Sequence, residues 1–219
     1  MTENDESNLL DKGMSVHERV LPFLALMKVE PTAGFLELIG TGIYELWKRR
    51  ADIFGTELIA LDIDPSEERL RQKDYLQGLV ATARRVQETV NEKKIRAFAA
   101  MFATYYEGGH FHSIDHFEEY LSILNELSAR EFQVLLILHK YEVANPLEGR
   151  NPLQRAVTFW ISFEADVKQN VGIEPEQLSA VLTRMQRTGL YETITGGFWG
   201  YTGGKGYLTP LFLDFISTL

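Results

Sequence analysis

The stretch that decides the fold lies late in the chain, where residues 175–191 read PEQLSAVLTRMQRTGLY. Its apolar residues recur at steps of three and four, which is typical of a helix with one buried face. They are Leu178, Val181, Leu182 and Met185. Gly189 is a natural helix stop, because glycine adopts the left-handed conformation that often follows a last turn. The pattern therefore predicts a helix from Pro175 to Thr188.

Two short β-prone runs follow this helix, Tyr191–Thr195 and Tyr207–Thr209, on either side of the glycine-rich residues 196–206. Such runs joined by a flexible turn predict a β-hairpin. A phosphate-cradling loop is not favoured for the same glycines, because that motif needs a glycine five residues before Gly204. Trp199 stands there instead. We therefore expect no cofactor.

The helix and hairpin resemble the corresponding part of winged-helix domains, in particular those of the MarR family of regulators. The resemblance covers Ser128–Leu219 and includes the exit Gly189-Leu190-Tyr191 and the run Leu208-Thr209-Pro210. It implies a winged-helix-like domain that binds duplex DNA through the outer face of the helix and through the hairpin, or wing. The DNA-contacting residues implied by this resemblance are Thr183, Arg184, Arg187 and Lys205.

The charge around this helix leaves a second interpretation open. Turning the apolar residues inward places five residues outward: Glu176, Ala180, Thr183, Arg184 and Arg187. Glu174 and Glu176, at the start of the helix, would repel a duplex. In the alternative interpretation the winged helix contacts protein, and the chain is an interaction or scaffold protein.

Residues upstream predict a long helix. Asp64-Pro65-Ser66-Glu67 offers a capping side chain, a proline in the first turn and an acid near the positive helix end. Apolar spacing then continues from Leu76 to Tyr105, and Gly108-Gly109 ends it. This predicts one helix of about 40 residues, roughly 60 Å long, or two helices joined with a kink. Such a length favours a dimer or a long bundle.

Further helices are predicted from apolar spacing and capping residues. They are Ala33–Leu61, Ser113–Leu127, a helix that begins at Ser128, and Gln154–Asn170, with a loop at Asn145–Pro152. The expected fold is mainly α. Residues 14–127 form an N-terminal helical bundle with a long helix, and residues 128–219 form a winged-helix-like domain with one small β-hairpin. Residues 1–13 are predicted to be a mobile acidic tail.

A cluster of cations on the long helix allows two interpretations. The cluster comprises Arg84, Arg85, Lys93, Lys94 and Arg96. The favoured interpretation is a solvated face on which Arg84 pairs with Glu88 and Arg96 with Glu92, each four residues apart. The alternative is a phosphate-binding stripe.

Composition limits the possible classes of protein. The 219 residues include 22 Lys and Arg against 31 Asp and Glu, so the net charge is −9, which argues against a basic domain that coats nucleic acid. The absence of cysteine excludes disulfides and thiol catalysis. The longest apolar run, Leu21–Met27, is shorter than the about 20 residues of a membrane span. We expect a cytoplasmic protein without membrane contact.

Three histidines, His110, His112 and His116, have a spacing that could hold a metal. The run is one residue longer than the metallo-β-lactamase signature and its surroundings are helical, so we expect no metal site. We find no nucleophile–base pair and no convincing pair of carboxylates. These observations argue against an enzyme. The resemblance to winged-helix regulators implies a DNA-binding regulator, which we expect to act as a homodimer, with protein interaction as the alternative.

Overall fold

The computed structural model describes residues 35–63, 67–108, 110–195 and 203–219. The described residues are mainly helical, with one antiparallel sheet of two strands, as the sequence predicted. The helices are α1 (Phe35–Ala60), α2 (Glu67–Leu70), α3 (Lys73–Glu88), α4 (Glu92–Glu107), α5 (Ile114–Glu126), α6 (Ala129–Ala144), α7 (Pro152–Val171), α8 (Pro175–Met185) and α9 (Pro210–Ile216). The strands are β1 (Tyr191–Thr193) and β2 (Gly206–Leu208). The predicted tail at residues 1–13, the helix start at 64–66 and the hairpin tip at 196–202 lie outside the described residues.

The chain divides into two compact units, one of residues up to Ser122 together with Leu219, the other of Ile123–Thr218. In the first unit, α4 packs against both α1 and α3. The core between these helices consists of fully buried side chains, among them Phe54, Leu58, Leu79, Val86, Ile95, Phe98 and Phe102. Burial of each such side chain contributes about 1.5–3 kcal/mol, so this core stabilises the packing of the three helices.

The prediction of one long helix is wrong. The helix breaks at residues 89–91, and α3 and α4 run antiparallel, so that Tyr75 near the start of α3 contacts Phe102 and Tyr106 near the end of α4. Thr89 is extended, with φ −97° and ψ 140°. Asn91 caps α4, because its side chain accepts a hydrogen bond from the Lys94 N–H at 3.2 Å. A reversal, not a kink, joins the two helices.

The predicted ion pairs along these helices do not form. Glu88 pairs with Arg85 at 3.4 Å instead of Arg84, and Glu92 pairs with Arg49 of α1 at 2.6 Å. Arg96 also reaches α1, where it pairs with Glu57. The reversal explains the partners of Glu92 and Arg96, because it packs α4 on α1.

The second unit begins α6 where the sequence predicted it, whereas α7 begins earlier. Ser128 caps α6 in a reciprocal arrangement: its hydroxyl accepts from the Glu131 N–H at 3.2 Å, and the Glu131 carboxylate accepts from the Ser128 N–H at 2.7 Å. Asn151 caps α7 in the same way, so α7 starts at Pro152 and earlier than the predicted Gln154.

The predicted helix and hairpin near the end of the chain are confirmed. After α8, a 3-10 turn of Gln186–Thr188 ends at Gly189, whose φ of 73° lies in the left-handed region. The chain then enters β1, and Tyr191 pairs with Leu208 of β2 in an antiparallel register. The two strands are thereby held beside the end of α8.

Candidate functional site

The outer face of α8, continued by the 3-10 turn that carries Arg187, is the candidate site, and its composition agrees with the sequence prediction. Glu176, Ala180, Thr183, Arg184 and Arg187 are all exposed. The opposite face is buried through Leu178, Leu182 and Met185. The spacing of apolar residues thus identified correctly which side chains of this helix face the solvent.

Arg184 is held by a carboxylate of α6. Its Nε lies 2.7 Å from Oε1 of Glu131, whose side chain is only 3% exposed. The other carboxylate oxygen of Glu131 accepts the N–H of Ser128. This pair therefore attaches α8 to the beginning of α6. It also engages Arg184, which the winged-helix resemblance implies as a DNA contact.

The environment of Glu131 keeps this pair charged. Burial on its own would raise the pKa of Glu131, because it removes water from the carboxylate. Hydrogen bonds from the hydroxyl and backbone N–H of Ser128, together with the hydrogen bond and charge of Arg184, outweigh burial and lower the pKa below its usual value. Glu131 is thus ionised at neutral pH, and Arg184 keeps a charged partner.

Arg187 is held much more loosely. Its Nε lies 3.7 Å from a carboxylate oxygen of Glu126, and its guanidinium donates to the Glu126 carbonyl oxygen at 3.3 Å. Both side chains are about half exposed, 52% for Arg187 and 55% for Glu126. Exposed ion pairs contribute about 0–1 kcal/mol, because water and salt screen them. Arg187 can therefore exchange its partner at little cost.

The two remaining predicted residues differ in their surroundings. The Thr183 hydroxyl donates to the Ser179 carbonyl oxygen within α8 at 2.9 Å. Lys205, just before β2, lies over the ring of Trp160 of α7, with its Nζ 5.8 Å from the ring centroid. That distance is near the limit of a cation–π contact. Lys205 is half-buried, so the structure turns part of this side chain toward α7.

A buried ion pair joins α6, α7 and β2, and the sequence analysis did not predict it. Glu142 of α6 lies 3.0 Å from Arg155 of α7 and accepts the backbone N–H of Leu208 in β2 at 3.0 Å. Burial raises the pKa of Glu142, although the Leu208 N–H and Arg155 partly oppose it. The position of Glu142 could have indicated its burial, because it lies four residues after the buried Leu138 on the apolar face of α6.

The second unit is not basic as a whole. Residues 123–218 contain eight Lys and Arg against ten Asp and Glu. Glu174, at the start of α8, is paired with Lys168 at 2.8 Å, whereas Glu176 in the first turn of α8 is exposed. The second unit therefore offers a polyanion no overall excess of positive charge.

The histidine cluster lies in the first unit. The rings of His112 and His116 are stacked, with centroids 5.6 Å apart and planes inclined by 16°. Tyr120 meets the His116 ring edge-on at 4.8 Å. Among the described residues, no group of three or more metal-ligating side chains comes together. The stacked rings thus belong to an aromatic cluster.

Comparisons with known proteins add no family to this description. No family model matches the chain, and neither does any curated protein or solved structure. Within the part of the chain that the structure describes, every helix is too short or too polar to cross a bilayer.

Proposed function

We propose that the protein is a cytoplasmic, non-enzymatic regulator that binds duplex DNA through the outer face of α8 and the hairpin. The observation that carries the proposal is Arg187, an exposed guanidinium whose partner Glu126 is itself exposed. A phosphate accepts two hydrogen bonds from a guanidinium and forms a stronger pair than a screened surface carboxylate does. DNA can therefore replace Glu126 as the partner of Arg187.

The four residues predicted to contact DNA have different roles in this proposal. Arg187 pairs with phosphate, and Thr183, exposed one turn before it, contacts the backbone or a base edge. Lys205 reaches the flanking backbone from the hairpin only after it leaves the ring of Trp160. Arg184 instead positions α8, because the buried Glu131 retains it.

The test measures the affinity of the whole chain for a mixed-sequence duplex by fluorescence anisotropy at several salt concentrations. Arg187→Gln is expected to weaken binding and to reduce the slope of log K against log salt by about one. Lys140→Gln is the matched control, because Lys140 also belongs to the second unit and is also paired with a carboxylate, that of Asp166. Absent binding at low salt, or equal losses in both variants, would contradict the proposal.

A second candidate function is self-association, in which the chain acts as an interaction protein. One face of α7, which we call the α7 face, carries the exposed residues Gln154, Val157, Thr158, Ile161, Ser162 and Ala165. None of them is charged, and Val157 and Ile161 are 59% and 83% exposed. Solvated helix faces usually carry charges, whereas the cores of interfaces are depleted of them. This composition favours contact with a second copy.

A further inference from the structure

An open groove runs between α3 and the first half of α5, within the first unit. It consists of two adjoining depressions of about 390 Å³ and 190 Å³. Both are lined by Ala81, Arg84 and Glu118, so they form one continuous groove. We refer to it as the α3–α5 groove.

The two ends of the α3–α5 groove differ chemically. The larger end is lined by the aliphatic side chains of Leu76, Val80 and Ile114. Leu76 is 37% exposed, so part of this apolar lining is in contact with water. The smaller end is lined by Arg84, Arg85 and Glu88. An aliphatic wall thus continues into a charged one.

Arg84 is the cation that this groove leaves available. Its neighbour Arg85 pairs with Glu88 at 3.4 Å and donates to the Ser122 hydroxyl at 3.1 Å. Arg84 is exposed and makes neither a hydrogen bond nor an ion pair with any residue that the structure describes. The glutamate that the helical spacing assigned to Arg84 is therefore occupied by Arg85.

We propose that the α3–α5 groove binds an aliphatic carboxylate of medium chain length. The carboxylate pairs with the guanidinium of Arg84, which is always charged and matches two carboxylate oxygens. The alkyl chain lies along Leu76, Val80 and Ile114 and removes them from water. Glu118, on the other wall, opposes negative charge and so disfavours a phosphate dianion relative to a single carboxylate.

The experiment titrates the whole chain with sodium octanoate and follows heat by calorimetry and the Arg Nε–H signals by NMR. Saturable binding is expected, with a shift of the Arg84 signal. Arg84→Gln is expected to weaken binding at least about tenfold, and Glu118→Gln to strengthen it about two- to fivefold. Lys93→Gln is the matched control, because Lys93 is an exposed cation of α4 that does not line the groove.

Two further probes complete the test: octan-1-ol, which is uncharged, and octylammonium, which carries the opposite charge. Both are expected to bind at least tenfold more weakly than octanoate. Leu76→Asn tests the apolar end at a partly exposed position, and it should also weaken octanoate binding. Equal binding of octylammonium, equal affinity of Arg84→Gln and wild type, or heats that never saturate would each overturn the proposal. The outcome does not depend on DNA binding.

Discussion

Two glutamates on the buried side of α6 respond to their surroundings in opposite ways. Burial raises the pKa of Glu142, and the single arginine and backbone N–H beside it do not reverse that shift. Burial acts on Glu131 too, but Ser128 contributes two hydrogen bonds and Arg184 a third, so the pKa of Glu131 is lowered. The balance between burial and the donors around each carboxylate decides the direction of its pKa shift.

Glu131→Gln is expected to destabilise the protein by about 1–3 kcal/mol at neutral pH, because it weakens the cap of α6 and leaves Arg184 without its charged partner. The sign with pH follows from the lowered pKa of Glu131. The contribution of Glu131 is fully present above the unfolded pKa of about 4.3 and is lost as pH falls through the lower folded pKa. Urea unfolding of both proteins between neutral and acidic pH measures the difference.

Glu126→Gln serves as the comparison for this residue-scale prediction. Glu126 also pairs with an arginine of the same unit, but it is 55% exposed. Its replacement should change stability by less than about 0.5 kcal/mol. If the Glu131 and Glu126 variants lost equal stability, the anchoring role of the Glu131–Arg184 pair would be wrong.

At the scale of elements, α3 and α4 approach each other closely at Gly78. A Cβ at this position would clash with Cε1 of Tyr105, and the Tyr105 ring is stacked on Phe117 with centroids 4.3 Å apart. Alanine gains about 1 kcal/mol of helix propensity over glycine, but overpacking costs about 1–3 kcal/mol. We therefore expect Gly78→Ala to destabilise the protein by about 1 kcal/mol, measured by thermal unfolding.

The effect of Gly78→Ala on stability should change sign when the Tyr105 ring is removed. In a Tyr105→Ala background, Gly78→Ala is expected to stabilise α3 by up to about 1 kcal/mol, because the gain in helix propensity is then opposed only by the milder contact of the added Cβ with Phe102 at 3.3 Å. An unchanged effect in both backgrounds would show that the ring does not limit the approach of the two helices.

Local signals predicted much of the fold at this scale. Ser128 predicted the start of α6, and the apolar spacing predicted α8 with its exposed face. Gly189 predicted the turn into the hairpin. The reversal at residues 89–91 escaped prediction because apolar spacing continues through it and the decision depends on packing between distant helices. The partners of Arg184 and Arg187 could not be predicted either, because Glu131 and Glu126 are far from them in the sequence.

Over the whole molecule, each chain carries a net charge of −9. Two copies that associate through the α7 face repel each other, and salt screens this repulsion. DNA binding has the opposite dependence, because salt competes with the cations that contact phosphate. Raising sodium chloride from about 50 to about 500 mM should therefore weaken DNA binding and maintain or strengthen self-association.

Light scattering after size exclusion can then assign the self-association to the α7 face. Ile161→Glu places a charge on the most exposed aliphatic residue of this face and is expected to shift the protein from dimer to monomer. Val143→Glu is the matched control, because Val143 is 67% exposed but belongs to α6. A wild-type protein that stays monomeric at high concentration and high salt would contradict the second candidate function, while leaving the role of Arg187 in DNA binding to be judged by the anisotropy experiment.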